Sequence, residues 1–202
     1  MSDFSSKIIQ GYQKFSKKYA SGSSTLLGDL AKKGQAPAAM IVACSDSRVD
    51  PAILTQADPG DYFILRNVAN IIPHYSAAGR LASTGAALEY GVCYLNVPEL
   101  VIMGHSDCGG MSALQDPGGL HQDQCISQWI SACPLYPSPS AMTLDALARE
   151  SLLSSYQNLL SYPWLQERIH NNTLRVHLWF YDLADVSLKT YCFERRVFIP
   201  ME

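Results

Sequence analysis

The sequence predicts an α/β protein: a mostly parallel central sheet flanked by helices, with an N-terminal helical arm and a C-terminal strand pair. Three observations predict it. Short apolar runs at 38–43 (AAMIVA), 62–65 (YFIL) and 100–103 (LVIM) are separated by longer stretches, the pattern of buried parallel strands joined by crossovers. Between the second and third runs, Leu81 to Leu95 carries Ala, Leu, Glu and Tyr at helical spacing, a natural crossover helix. Near the end, TLRVHLWFYD alternates Leu174, Val176, Leu178 and Phe180 with Arg175, His177 and Trp179. That alternation is a strand, and VSLKTYCF is its hairpin partner.

In chain order, Phe4, Ile8, Tyr12, Phe15 and Tyr19 lie at helical spacing with lysines between them. This amphipathic helix needs a partner surface, its own core or another subunit. Ser21 to Ser24 breaks the chain, and a short helix from Leu26 to Lys33 follows. After Gly110 the pattern is helical again, with apolar faces in 121–132 and 141–160 separated by the Pro/Ser-rich loop CPLYPSPS. A length of 202 residues suits a single domain, with 1–34 as the arm and 35–202 as the core.

Composition excludes several classes. A formal net charge of -3 without a long basic block argues against a nucleic-acid partner or a membrane surface. No apolar run approaches the roughly 20 residues that a membrane helix needs. The start, MSDFSSKIIQGYQKF, lacks a continuous apolar segment followed by a cleavage site, so the chain reads as unexported and cytoplasmic. Six cysteines in such a chain point to metal or catalytic use wherever they neighbour His or Asp.

Two motifs meet that condition. Cys44-Ser45-Asp46-Ser47-Arg48 follows the first apolar run, and Gly104-His105-Ser106-Asp107-Cys108-Gly109-Gly110 follows the third. Both stand where a strand ends, and ligands of open parallel sheets collect at the carboxyl ends of strands. Either motif alone is weak: a strand ending in Cys is often a core cysteine, and H-x-x-C occurs by chance. Together, Cys44, His105 and Cys108 supply two thiolates and an imidazole, a set suited to zinc. Three protein ligands leave a fourth tetrahedral position open, as in catalytic sites, and zinc there brings a bound water to a pKa of about 7. A closed structural site needs a fourth Cys or His, and no second C-x-x-C offers one. Beside Cys44, the Asp46 carboxylate is placed either to bind the metal itself or to hydrogen-bond its water, and the Arg48 fork can hold it ionised and off the metal.

On these residues the sequence resembles the β-class carbonic anhydrases. The likeness runs from about Gly34 to Met111 and includes GQAP, CSDSRVDP, DPGDYFILRNVANIIP, GAALEYGV and GHSDCGG. The resemblance implies one zinc per chain on Cys44, His105 and Cys108, with Asp46 and Arg48 as the catalytic pair. It also implies a small carbon dioxide/bicarbonate pocket lined by Gln35, Phe63, Val68, Tyr90 and the Gly109 backbone. Without the resemblance, Phe63, Val68 and Tyr90 read as core residues and Gln35 as an exposed loop residue. The implied reaction is reversible hydration of carbon dioxide by zinc-bound hydroxide. The implied assembly is a homodimer or homotetramer, with the N-terminal helix packing across a dimer. Some relatives close when bicarbonate fills a second pocket containing a Trp; here that position is Ile41, beside matches at Arg66 and Tyr181. The resemblance therefore implies an open resting site, with Asp46 on Arg48.

Other residues read as structural. His74, His121, His170 and His177 lack ligand partners at convincing spacing, although His74 and His121 are the better placed to pass protons to buffer. Cys93, Cys125 and Cys133 read as helical packing residues, Arg66 and Asn67 as supports or subunit contacts, and Asp107 as a local or solvated carboxylate. Two rival functions remain: hydrolysis of carbonyl sulfide or carbon disulfide on the same fold, and a catalytically silent zinc-binding scaffold.

Overall fold

A computed structural model describes residues 3–20, 26–77, 82–116, 118, 123–136 and 142–201. The break at Ser21 to Ser24, Leu81 and His121 lie outside the described residues. The arm consists of α1 (Asp3–Ala20) and α2 (Leu26–Lys33). The core then runs β1 (Ala39–Cys44), α3 (Pro51–Thr55), β2 (Tyr62–Asn67), α4 (Ala82–Glu89), β3 (Glu99–His105) and α5 (Gly109–Gln115). It continues through α6 (Cys125–Ile130), α7 (Leu144–Leu159), α8 (Pro163–His170), β4 (Arg175–Asp182), β5 (Ser187–Cys192) and β6 (Val197–Pro200). Among the described residues, no helix is long and apolar enough to cross a membrane.

One six-stranded sheet has the order β2-β1-β3-β4-β5-β6. The first four strands are mutually parallel, and β5 and β6 extend the sheet antiparallel. The expected C-terminal pair is thus part of a larger array: β4 also pairs with β3, and β6 adds an edge. Strand β1 is buried along its whole length, and its residues alternate between two clusters. Met40, Val42 and Cys44 face the main core, while Ile41 and Ala43 join Val101 and Met103 on the other face.

The predicted crossover helix is interrupted. Regular helix ends at Glu89, and Tyr90–Tyr94 form a single π turn in which Leu95 N–H donates to Tyr90 C=O at 2.9 Å. Close packing accounts for the local glycine: a Cβ on Gly91 would stand 2.6 Å from the Met40 sulfur. The π turn is braced by α8, whose Arg168 Nη1 donates to Val92 C=O at 2.6 Å. Of the expected 121–132 helix, Cys125–Ile130 is helical. The 141–160 helix is realised as α7, capped by the Thr143 hydroxyl accepting from Ala146 N–H.

Helix α7 reaches back to the segment that follows β2. Ser155 Oγ accepts from Ile72 N–H at 3.2 Å, and Asn158 Nδ2 donates to Ile72 C=O at 2.9 Å. Just beyond the helix, Tyr162 OH donates to Pro73 C=O at 3.0 Å. These bonds satisfy buried backbone groups that no strand pairs. Replacing Asn158 with Ala removes the donor to a buried carbonyl, so a loss of about 1–3 kcal/mol is expected. Chemical denaturation should show a lower midpoint with an unchanged slope; an unchanged midpoint would show that water satisfies the Ile72 carbonyl equally well.

Candidate metal centre

Strands β1 and β3 are parallel neighbours, so their carboxyl ends lie side by side. Cys44 is the last residue of β1, His105 the last of β3, and Cys108 the residue preceding α5. Between the latter two, Asp107 takes a left-handed conformation (φ 53°) that folds Cys108 back toward His105. The loop after β1 is held from below by Arg66 on β2. Its guanidinium donates to the carbonyls of Cys44 (2.9 Å), Asp46 (2.6 Å) and Val49 (3.3 Å) and pairs with Asp50 at 2.8 Å. Asp50 also accepts from the Ala52 and Ile53 N–H groups and so starts α3.

Cys44, His105 and Cys108 are all buried, and their ligand atoms lie within 4.8 Å of one another. The two sulfurs are 3.9 Å apart, far from a disulfide and close to the separation of about 3.8 Å that tetrahedral Zn–S bonds of about 2.3 Å require. His105 Nδ1 lies 2.8 Å from the Ser106 carbonyl, which fixes the proton on Nδ1. Nε2 is thereby an acceptor, and it is buried without a hydrogen-bond partner. An orphaned imidazole lone pair beside two sulfurs fits a soft divalent metal. The Cys44 thiol, hydrogen-bonded by Cys108, is brought down to about 4. Cys108 is pushed well above the ordinary thiol range by that neighbour and by burial. The pair shares one proton, which a divalent cation displaces on binding. Ala69 N–H points at Cys44 Sγ at 3.4 Å, supporting its negative charge.

Arg48 grips Asp46 through two bonds, Nε to Oδ1 at 3.0 Å and Nη2 to Oδ2 at 2.8 Å. Hydrogen bonds from Arg48 hold the Asp46 carboxyl well below the usual carboxylate range. The far side of the guanidinium is occupied too. Nη1 pairs with Asp107 Oδ2 at 2.8 Å, and Nη2 donates to Asp107 C=O at 2.9 Å. Asp145, at the start of α7, accepts from Asp107 N–H at 3.1 Å. Arg48 therefore ties the two ligand loops together. Asp107, expected to be merely local, is its second anchor, and Asp145 was not anticipated at all. Asp46 Oδ2 stands 4.0 Å from His105 Nε2, beside the ligands but committed to Arg48.

A cavity of about 390 Å³ opens at this point, with Cys44, Asp46, Val68 and Gly109 among its lining residues. Its floor is a backbone contact: a Cβ on Gly110 would fall 2.6 Å from the Ala69 Cβ. Ala69 and Asn70 both adopt positive φ there, 63° and 47°.

The structure does not bring Gln35, Phe63 and Tyr90 to this cavity within one chain. Phe63 pairs with Met40 and Asn67 with Cys44, so Phe63 lies four residues, or about 13 Å, back along the strands. Its ring contacts Tyr90 at 5.7 Å between centroids, and Tyr90 stacks on Tyr94. Tyr90 is 45% and Tyr94 73% exposed. Gln35 is exposed just before β1, at the same amino end. These residues form a separate aromatic patch.

The remaining expectations resolve locally. Arg66 is fully engaged and Ile41 is completely buried, so Arg66 has no free fork and the Ile41 position is packed with apolar neighbours. His74 hydrogen-bonds Ser76, and His177 pairs with Glu99. All six cysteines are free; Cys93 and Cys125 are exposed and Cys133 is buried.

Two thiols and an imidazole converging at the carboxyl edge of a parallel sheet, with an Arg-held carboxylate alongside, define an α/β fold with a candidate metal centre at its strand ends. The carbonic anhydrase family profile matches residues 39–188. A carbonic anhydrase of Pseudomonas aeruginosa is 35% identical over 184 residues, 87% of this chain and 82% of the relative. The β carbonic anhydrase 3 of Arabidopsis thaliana is 33% identical over 192 residues, covering 88% and 73%. Among solved structures, the β-carbonic anhydrase CcaA superposes with a TM-score of 0.89 at 31% identity, covering 98% of this chain and all of that one. The chain belongs to the β-class carbonic anhydrases and is an enzyme of that family.

If Cys44 is a metal ligand, Cys44→Ser should lower metal content per chain severalfold, because a neutral hydroxyl is a poor substitute for thiolate. Elemental analysis of the purified variant checks this; full zinc occupancy would remove Cys44 from the ligand set.

Proposed function

We propose that this chain hydrates carbon dioxide reversibly to bicarbonate at one zinc ion held by Cys44, His105 and Cys108. The observation that supports this most is the orphaned, buried His105 Nε2, within 4.8 Å of two thiols, one of which, Cys44, lines the cavity together with Asp46. Zinc at such a site supplies the Lewis acidity that makes water nucleophilic near neutral pH. The chain contributes orientation. Asp46, kept ionised by Arg48, accepts a hydrogen bond from a water in the cavity and directs its lone pair. Val68, Ala113 and Ile126 give the cavity an apolar side suited to a substrate without a net dipole.

A second copy completes the pocket. Gln35, Phe63 and Tyr90 do not line the cavity of their own chain, while Phe63 and Tyr90 are in ring contact at the amino end of the strands and Tyr90 and Gln35 are exposed there. The arm also leaves Phe4, Ile8 and Tyr12 exposed, 72%, 54% and 69%, so this apolar face has little cover among the described residues. Self-association accords with the tetrameric β-carbonic anhydrases of Sordaria macrospora, which superpose with a TM-score of 0.74 at 26% identity, covering 92% of each chain.

Two experiments test these readings. Arg48→Ala frees Asp46 to swing onto the open metal position. Stopped-flow carbon dioxide hydration should fall by about two or more orders of magnitude with zinc retained; near-normal rates would dismiss the pair. For the shared pocket, Cys44→Ser and Tyr90→Ala chains, each weakly active alone, are unfolded together and reassembled. Mixed dimers should regain activity, since one site then has an intact metal set and an intact partner patch. No recovery in verified mixed dimers means that the patch does not act across subunits.

A further inference from the structure

Helix α7 and the β5–β6 hairpin enclose a second cavity of about 320 Å³, away from the metal ligands. Arg149 and Leu153 line it from α7, Lys189 and Tyr191 from β5, and Arg196 and Phe198 from the hairpin turn and β6. Its charge is unbalanced. Three cations face one carboxylate, Glu150, and none of the three side chains has an ion-pair partner among the described residues. Arg149 and Lys189 are half-buried, where an uncompensated cation is most costly.

Arg149 carries the second observation. Its guanidinium stacks over the buried Phe180 ring, 4.4 Å from the centroid. Stacking fixes the plane of the fork and leaves its edge free to donate. Yet Arg149 Nε is out of contact with water and has no acceptor. Buried donors are nearly always satisfied, so this orphan leaves the guanidinium charge incompletely compensated within the chain.

We propose that this cavity binds a small phosphate monoester, with Arg149, Lys189 and Arg196 on the phosphate. An excess of two positive charges matches a dianion. The Arg fork matches phosphate oxygens in bidentate fashion. Tyr191, Phe198 and Leu153 offer apolar surface to a short carbon body. The volume lies at the lower end of small-molecule pockets, which suits a phosphorylated compound of a few carbons better than a nucleotide. Glu150 is placed to accept from a ligand hydroxyl, so an ester should bind better than inorganic phosphate, which presents no carbon body.

The test uses the zinc-loaded full chain at constant ionic strength. Titration calorimetry with glycerol 3-phosphate should give saturable binding with one site per chain, tighter than with inorganic phosphate and absent with sodium chloride. Lys189→Ala and Arg196→Asn should each weaken it about tenfold or more. Asn keeps the left-handed backbone at position 196 (φ 52°), so that variant should fold. Arg149→Ala should abolish binding, and Arg175→Ala, an exposed arginine outside the cavity, should leave it unchanged. Equal affinity for phosphate and ester reduces the site to a phosphate site and overturns the ester assignment. No saturation at millimolar concentrations overturns the whole proposal, as does binding indifferent to Lys189→Ala and Arg196→Asn. Loss of self-association in those two variants, without any anion binding, instead assigns the cations to a subunit contact.

Discussion

Two thiols held 3.9 Å apart in a buried site, with an imidazole lone pair and a carboxylate close by, are the interaction on which the rest depends. Fully ionised, such a group has no stable arrangement without a cation among it. The surrounding structure is organised to keep the atoms there regardless. Arg66 binds three carbonyls of the loop after β1, Arg48 bridges that loop to the one after β3, and Asp145 anchors the second loop to α7. Backbone strain is tolerated at Ala69 and Asn70 because it aims an N–H at Cys44. A metal entering this site meets donors already in position, so little of its binding energy is consumed in ordering them.

Much of this was legible in the sequence, for reasons that can be given residue by residue. AAMIVA and LVIM are apolar without alternation because β1 and β3 are buried on both faces, and that same burial makes them adjacent central strands. Once they are adjacent and parallel, the residues that follow them must meet, which is why CSDSR and GHSDCGG could be read as one site. The Arg48–Asp46 pair is local and was legible for the same reason. Asp107 and Asp145 were not: their roles depend on how a loop and a helix start pack in space, and no spacing encodes that. The π turn at Tyr90 was hidden because its residues keep helical periodicity. Within it, Gly91 packs so closely on Met40 and Phe63 that no side chain fits, a tertiary contact that spacing does not encode. The position of Gln35, Phe63 and Tyr90, away from the cavity of their own chain, shows the limit of a resemblance, which assigns residues by position along the sequence and not by place in the fold.

Arg66 illustrates how one side chain can close off an alternative. A guanidinium has five donors, and here Arg66 makes four hydrogen bonds, three to carbonyls and one to Asp50. Recruiting it to an anion would release the loop that carries Asp46. With Ile41 packed among Ala43, Val101 and Met103, the neighbouring space is apolar as well. The arrangement that braces the site thus also leaves little room for a second anion to act upon it from below.

The contact between Ala69 and Gly110 sets a boundary of another kind. On that side the Gly110 backbone lines the cavity, and the buried Ala69 methyl packs directly behind it. A side chain at position 110 would collide with that methyl, so this part of the wall admits no larger residue. Drift of this enzyme toward bulkier molecules therefore runs more readily through the apolar side chains of Val68, Ala113 and Ile126, and the evolutionary freedom of the site is concentrated in them.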